Sequence, residues 1–175
     1  GADEIFTGYT AYFYIYLIEL LKGVKIKTFF HEFTSFKNKR NISSISLLKQ
    51  ILSAMLNEKF RKNDKYKIFN KKFYGKEQKE KFSNKLSNSL WNSLTFSALR
   101  EYLRYEDKNS MRFSLESRLP FLDFRLVQSA FSLQDKYKIK NGVSKVILRE
   151  IAKGKIPKTT LEEINKMGFI APQAI

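Results

Sequence analysis

The chain has 175 residues, enough for one domain with a core of its own, and its 43% hydrophobic and 15% aromatic content excludes a disordered chain. It contains no cysteine and a single histidine, His31, which excludes disulfides, thiolate zinc sites, thiol nucleophiles and histidine-rich metal clusters. The net charge of +16 (33 Lys and Arg against 17 Asp and Glu) is spread among acids and asparagines rather than gathered on one arm, which argues against a dedicated nucleic-acid partner.

Gly1-Ala2-Asp3-Glu4 leads into apolar positions 5, 6, 9, 12, 13 and 16. That spacing predicts a single helix capped by Asp3 and stopped at Gly23. Its most apolar run, residues 11–21, is shorter than the roughly 20 residues a membrane span needs and carries Glu19, so it predicts a buried helix and no membrane contact. Residues 24–45 alternate irregularly and predict short helix and loop, with His31 packed or at the surface rather than catalytic. Residues 47–60 have helical spacing, and 61–81 are Lys- and Asn-rich, a surface insertion. From 82 to 105, leucines at 86, 90, 94, 99 and 103 step by four and five, which predicts one long helix with Trp91 in the core.

Residues 104–123, RYEDKNSMRFSLESRLPFLD, interleave charges with Met111, Phe113, Leu115, Leu119, Phe121 and Leu122. A solvated face, a buried ion-pair network and the wall of a site for a charged ligand all fit. Burial of the apolar residues would require Glu106, Asp107, Glu116, Arg118 and Asp123 to be paired. Asp123 then caps a helix over 124–131, residues 135–139 connect, Asn141-Gly142 marks a turn, and 143–153 form a helix closed by Gly154 and Pro157. No strand is convincing, and the pattern alone reads as mostly α.

Two further clusters bear chemistry. Asp3-Glu4 at a helix start can cap it, orient a cation or face a phosphate or carboxylate. Lys145 and Arg149, one helical turn apart, suit a polyphosphate or are plain surface residues.

In order along the chain, GADEIFTGY, LRYEDKNSMRFSLESRLPFLD, KYKIKNGVSKVILRE and INKMGF resemble the synthetase domain of glutamine-dependent asparagine synthetases. The family pattern is a G-[AS]-D-E-[LIV]-F-x-G-Y loop, an R-x-S-M-x-x-S-[VI]-E-[AS]-R-[VL]-P-F-L-D block, a G-x-x-K-x-x-L-R helix and a K-x-G-F segment. Lys108 stands where Arg is common, and Thr7 where Gly is common. The resemblance covers most of the chain except the Lys-rich middle.

It implies part of an α/β PP-loop (adenine nucleotide alpha hydrolase-like) synthetase domain of a cytoplasmic ligase in asparagine biosynthesis. The substrates implied are ATP with Mg2+, aspartate, and ammonia from glutamine hydrolysed in an N-terminal glutaminase domain. Asp3 and Lys145 would be catalytic, with Asp3 orienting Lys145 by an ion pair. Gly1, Ala2, Glu4 and Arg149 would face ATP and pyrophosphate, and Glu116, Arg118 and Asp123 would brace the wall. No metal ligand is assigned, because most Mg2+ ligands are expected upstream with the family's S-G-G-x-D-S loop. The chain thus reads as a synthetase domain truncated at both ends and inactive alone. Relatives that act on other carboxylates (β-lactam, lasso-peptide or sugar substrates) remain open alternatives, as does a basic helical binding module.

Overall fold

A computed structural model describes residues 1–60, 82–95 and 98–165. In order, the elements are α1 (Ala2–Ile5), α2 (Thr10–Lys22), α3 (Ile26–Arg40), α4 (Ser44–Phe60), α5 (Lys85–Thr95), α6 (Ala98–Met111), α7 (Phe124–Ser132), β1 (Ile139–Lys140), β2 (Val143–Ser144), α8 (Val146–Ala152) and α9 (Lys158–Glu162). The expected mostly α chain is what forms, with one antiparallel ribbon that the pattern missed, pairing Ile139 with Ser144 and Lys140 with Val143. The Lys-rich insertion 61–81 and the K-x-G-F segment lie outside the described residues.

The centre of the fold is α2, the most apolar helix, which packs against α3, α4 and α5. Phe13 stacks on Phe36 at 4.0 Å between ring centres, and Leu17, Leu47, Leu86, Leu90 and Ile139 close around them. A second apolar cluster joins Ile5 and Phe6 to Ala130 of α7, with Ile147 and Leu148 of α8 against it. Trp91 is packed, as expected, against Phe82 and Phe131. Among the described residues no helix is long and apolar enough to cross a membrane.

Several expectations need correction. The single helix from Asp3 to Gly23 is two, because Thr7 takes a left-handed conformation (φ 60°) and turns the chain between them. Asp3 therefore sits inside α1, whose N-cap is Gly1; the N-cap of α2 is Tyr9, and Gly23 ends that helix as anticipated. Residues 24–45 hold a regular helix, α3, because Phe29, Phe33 and Phe36 form one stripe toward the core. It closes on Asn41 in the left-handed conformation, after Lys37, Lys39 and Arg40 at its negative end. The span 82–105 holds two helices, α5 and α6, rather than one. Residues 143–153 open as strand β2, and only from Val146 do they form a helix.

Candidate active site

One turn of helix, α1, presents Asp3 and Glu4. Behind it the chain folds back so closely that a Cβ on Gly8 would lie 1.9 Å from Asp3 Oδ1 and 2.8 Å from Asp3 Cα, so only glycine fits. The Gly8 N–H donates to the Asp3 carbonyl at 2.8 Å. Glu4 is buried, and its Oε1 accepts from the Tyr9 hydroxyl at 2.7 Å. Burial, and then Glu4, push the Tyr9 phenol well up. The phenol therefore stays protonated at neutral pH.

Lys145 arrives from the far end of the sequence on the β1–β2 ribbon. Its backbone is left-handed (φ 58°) at the N-cap of α8, an uncommon conformation for a non-glycine residue. The ribbon is fixed from α3: buried Glu32 accepts the Asn141 and Gly142 N–H groups, each at 2.9 Å. Gly142 (φ 71°) lies against the Phe36 backbone, where a Cβ would come within 2.5 Å of the Phe36 nitrogen. His31 Nε2 lies 3.0 Å from Asn141 Oδ1 at the surface.

These two supports bring Lys145 Nζ to 2.5 Å from Asp3 Oδ1, with the side chains 33% and 23% exposed. The pair borders a cleft of about 390 Å³ lined by Gly1, Ala2, Asp3, Glu4, Tyr9, Lys145 and Leu119, and closed by Leu99, Tyr102, Leu103 and Glu106 of α6. Of the residues singled out in the sequence, Gly1, Ala2, Asp3, Glu4 and Lys145 thus meet at one place.

Arg149 does not join them. Its nitrogens donate to the carbonyls of Ser144 (3.0 Å), Leu161 and Glu163 (2.8 Å), so it ties α8 to the chain around α9 instead of facing the cleft. Glu116 and Arg118 form an ion pair at 2.7 Å, but both are exposed. Asp123 caps α7 through the Arg125 N–H at 2.9 Å and also pairs with the Arg125 guanidinium, which lowers its pKa. Two parts of the charged stretch reach the site: Glu106, on the α6 wall of the cleft, and the Leu-Pro-Phe-Leu knuckle. Leu119 borders the cleft, and Phe121 meets Phe6 edge-on at 6.4 Å. Met111, Phe113 and Leu115 are exposed rather than buried, Phe113 by 73%.

Sequence reasoning missed Tyr9, Glu32 and Tyr102, and singled out Glu106 only as a member of a paired network. A signal did exist for the α6 residues, since positions 99, 102, 103 and 106 share one helix face. Chemically, the cleft offers a lysine ammonium with hydrogen-bond donors to spare beyond Asp3, beside carboxylates at Glu4 and Glu106. Among the described residues no three metal-ligating side chains gather.

The asparagine synthase family model matches residues 1–174. Asparagine synthetase (glutamine-hydrolyzing) 1 of Bacillus subtilis (strain 168) is 25% identical over 196 residues, which cover 98% of this chain and 30% of that protein. The chain therefore spans about 30% of the length of this relative. No solved structure matches the chain. A match running from the acid loop through the charged block to the lysine-bearing helix and beyond leaves one conclusion: the chain belongs to the asparagine synthase family.

Proposed function

We propose that the cleft is part of a site where a carboxylate is activated by ATP and converted to an amide, the carboxylate being the side chain of aspartate. The observation that carries this reading is the Asp3–Lys145 ion pair at 2.5 Å, in a chain matched to the asparagine synthase family over nearly its whole length. In the first step a substrate carboxylate oxygen attacks the α-phosphorus of ATP. The bond to the β-phosphate oxygen breaks, and pyrophosphate leaves. Ammonia, supplied from glutamine by another part of the full-length protein, then attacks the acyl carbon. The C–O bond breaks with its electrons going to AMP, and the proton released from nitrogen passes to a base or to solvent.

Lys145 places positive charge where negative charge develops at phosphorus and on the leaving pyrophosphate, and Asp3 holds its ammonium in place. Glu4, locked by Tyr9, anchors the loop from which Asp3 projects. With Asp3, Glu4 and Glu106 set against one lysine, the cleft suits phosphates that carry their own cation. Mg2+ fits that description, because it typically takes one or two carboxylates plus substrate phosphates and several waters. Its role would be to neutralise the polyphosphate. The surrounding architecture proposed is the α/β PP-loop domain, with the remaining nucleotide contacts outside this chain.

The test is ATP–pyrophosphate exchange in the full-length protein. Lys145→Ala should lower it by roughly 10²–10³-fold, the size of losing one preorganised charge-stabilising donor, and Asp3→Asn should lower kcat more than it raises KM. A basic binding module would instead show no exchange in the parent protein. The isolated chain, given ATP, aspartate and ammonia, should release no AMP above background.

A further inference from the structure

From the packing behind the cleft we infer that Thr7 is a positioning residue: its hydroxyl fastens the loop bearing Asp3 to the ribbon bearing Lys145 and sets the register of the pair. Thr7 is 1% exposed and left-handed (φ 60°), a conformation that a β-branched side chain disfavours and glycine adopts freely. A β-branched residue held in that conformation points to something gained from its side chain. The hydroxyl has one proton, shared between two carbonyls: Phe6 O of its neighbour at 2.6 Å and Lys138 O, far away in sequence, at 3.2 Å. The same Lys138 carbonyl accepts the Val146 N–H at 3.2 Å. One oxygen therefore joins Thr7, four residues after Asp3, to Val146, the residue that follows Lys145. Glu32 grips the turn at the far end of the ribbon, so the hydroxyl of Thr7 holds the end nearest the cleft. Without it, the ribbon keeps its turn contact but gains freedom to shift Lys145 along Asp3.

The inference rests on Lys145 being the cation of the proposed site, and its test includes a readout that needs no activity. In the full-length protein, Thr7→Gly removes the hydroxyl while accepting the backbone conformation, Thr7→Ala removes it with a Cβ retained, and Thr7→Ser keeps it. Brief acylation with an amine-reactive ester, read by peptide mass spectrometry, gives the labelling rate of Lys145 relative to exposed Lys155. The expected result is severalfold faster labelling of Lys145 in Thr7→Gly and Thr7→Ala, with the parent rate restored in Thr7→Ser. In pyrophosphate exchange the same two variants should lose about tenfold or more in kcat with KM for ATP nearly unchanged, since small misplacements of a catalytic group cost rate. If either hydroxyl-free variant labels Lys145 at the parent rate, the inference is overturned. If the parent protein shows no exchange, the proposed function fails while the labelling still judges the tether. Should Thr7→Gly not fold, the contrast between Thr7→Ala and Thr7→Ser decides.

Discussion

At the scale of single residues, the site is made by contacts too close for any other side chain. Gly8 lies so near Asp3 that even a methyl group must displace both the carboxylate and the backbone beneath it. Gly8→Ala should therefore cost about 1–3 kcal/mol of stability through overpacking and should cut exchange at least as deeply as Asp3→Asn. Urea denaturation and exchange kinetics on the same variant check both halves. An Ala variant with unchanged stability would mean that the loop is free to rearrange. The Asp3–Lys145 pair is partly exposed, so it is not a large source of fold stability; surface pairs contribute only about 0–1 kcal/mol. Its value lies in direction: Asp3 takes one ammonium donor and leaves the others to the cleft.

At the scale of elements, the β1–β2 ribbon does the carrying. It is only two residues per strand, and an isolated hairpin is marginal in water, so Glu32 must hold it from α3. Glu32→Gln keeps one acceptor and loses the charge, and should cost about 1–3 kcal/mol, read as a lowered urea midpoint, together with a loss of exchange as Lys145 loosens. The sequence announced the turn at Asn141-Gly142, but not the strands, whose two-residue length leaves no alternating pattern to read. Glu32 was illegible because its burial depends on a turn that arrives late in the chain. The split between α1 and α2 was hidden too, because apolar spacing continues across Thr7 while the left-handed turn there is set by tertiary contact. The acid loop and Lys145 were legible as motifs, and the cap at Asp123 as local chemistry. What pattern could not show was that Arg149 spends its donors on carbonyls.

At the scale of the whole molecule, the charged stretch leaves α6 through Ser114 in a left-handed turn and lies outside the core, with Met111, Phe113 and Leu115 exposed. Sequence reasoning expected their burial because it counted apolar residues without knowing where the helix ends. Around α2, in contrast, burial is deep. It lifts the phenols of Tyr12 and Tyr16 from the ordinary 10 to about 12. A raised folded pKa means that their contribution to stability is fully present below pH 10 and is lost as pH climbs through about 12. Alkaline titration should accordingly show tyrosinate absorbance from these two residues appearing together with loss of helical circular dichroism. Ionisation near pH 10 with helicity intact would place them at the surface.

Oxygen tracing decides whether the cleft at Asp3 and Lys145 serves carboxylate adenylation. The full-length protein is given aspartate whose side-chain carboxylate carries heavy oxygen, with ATP and a nitrogen source. One labelled oxygen in AMP for each amide formed is expected, with both products lowered roughly 10²–10³-fold in Lys145→Ala. Label appearing in inorganic phosphate alongside ADP, or amide formation at the parent rate in Lys145→Ala, would overturn that assignment.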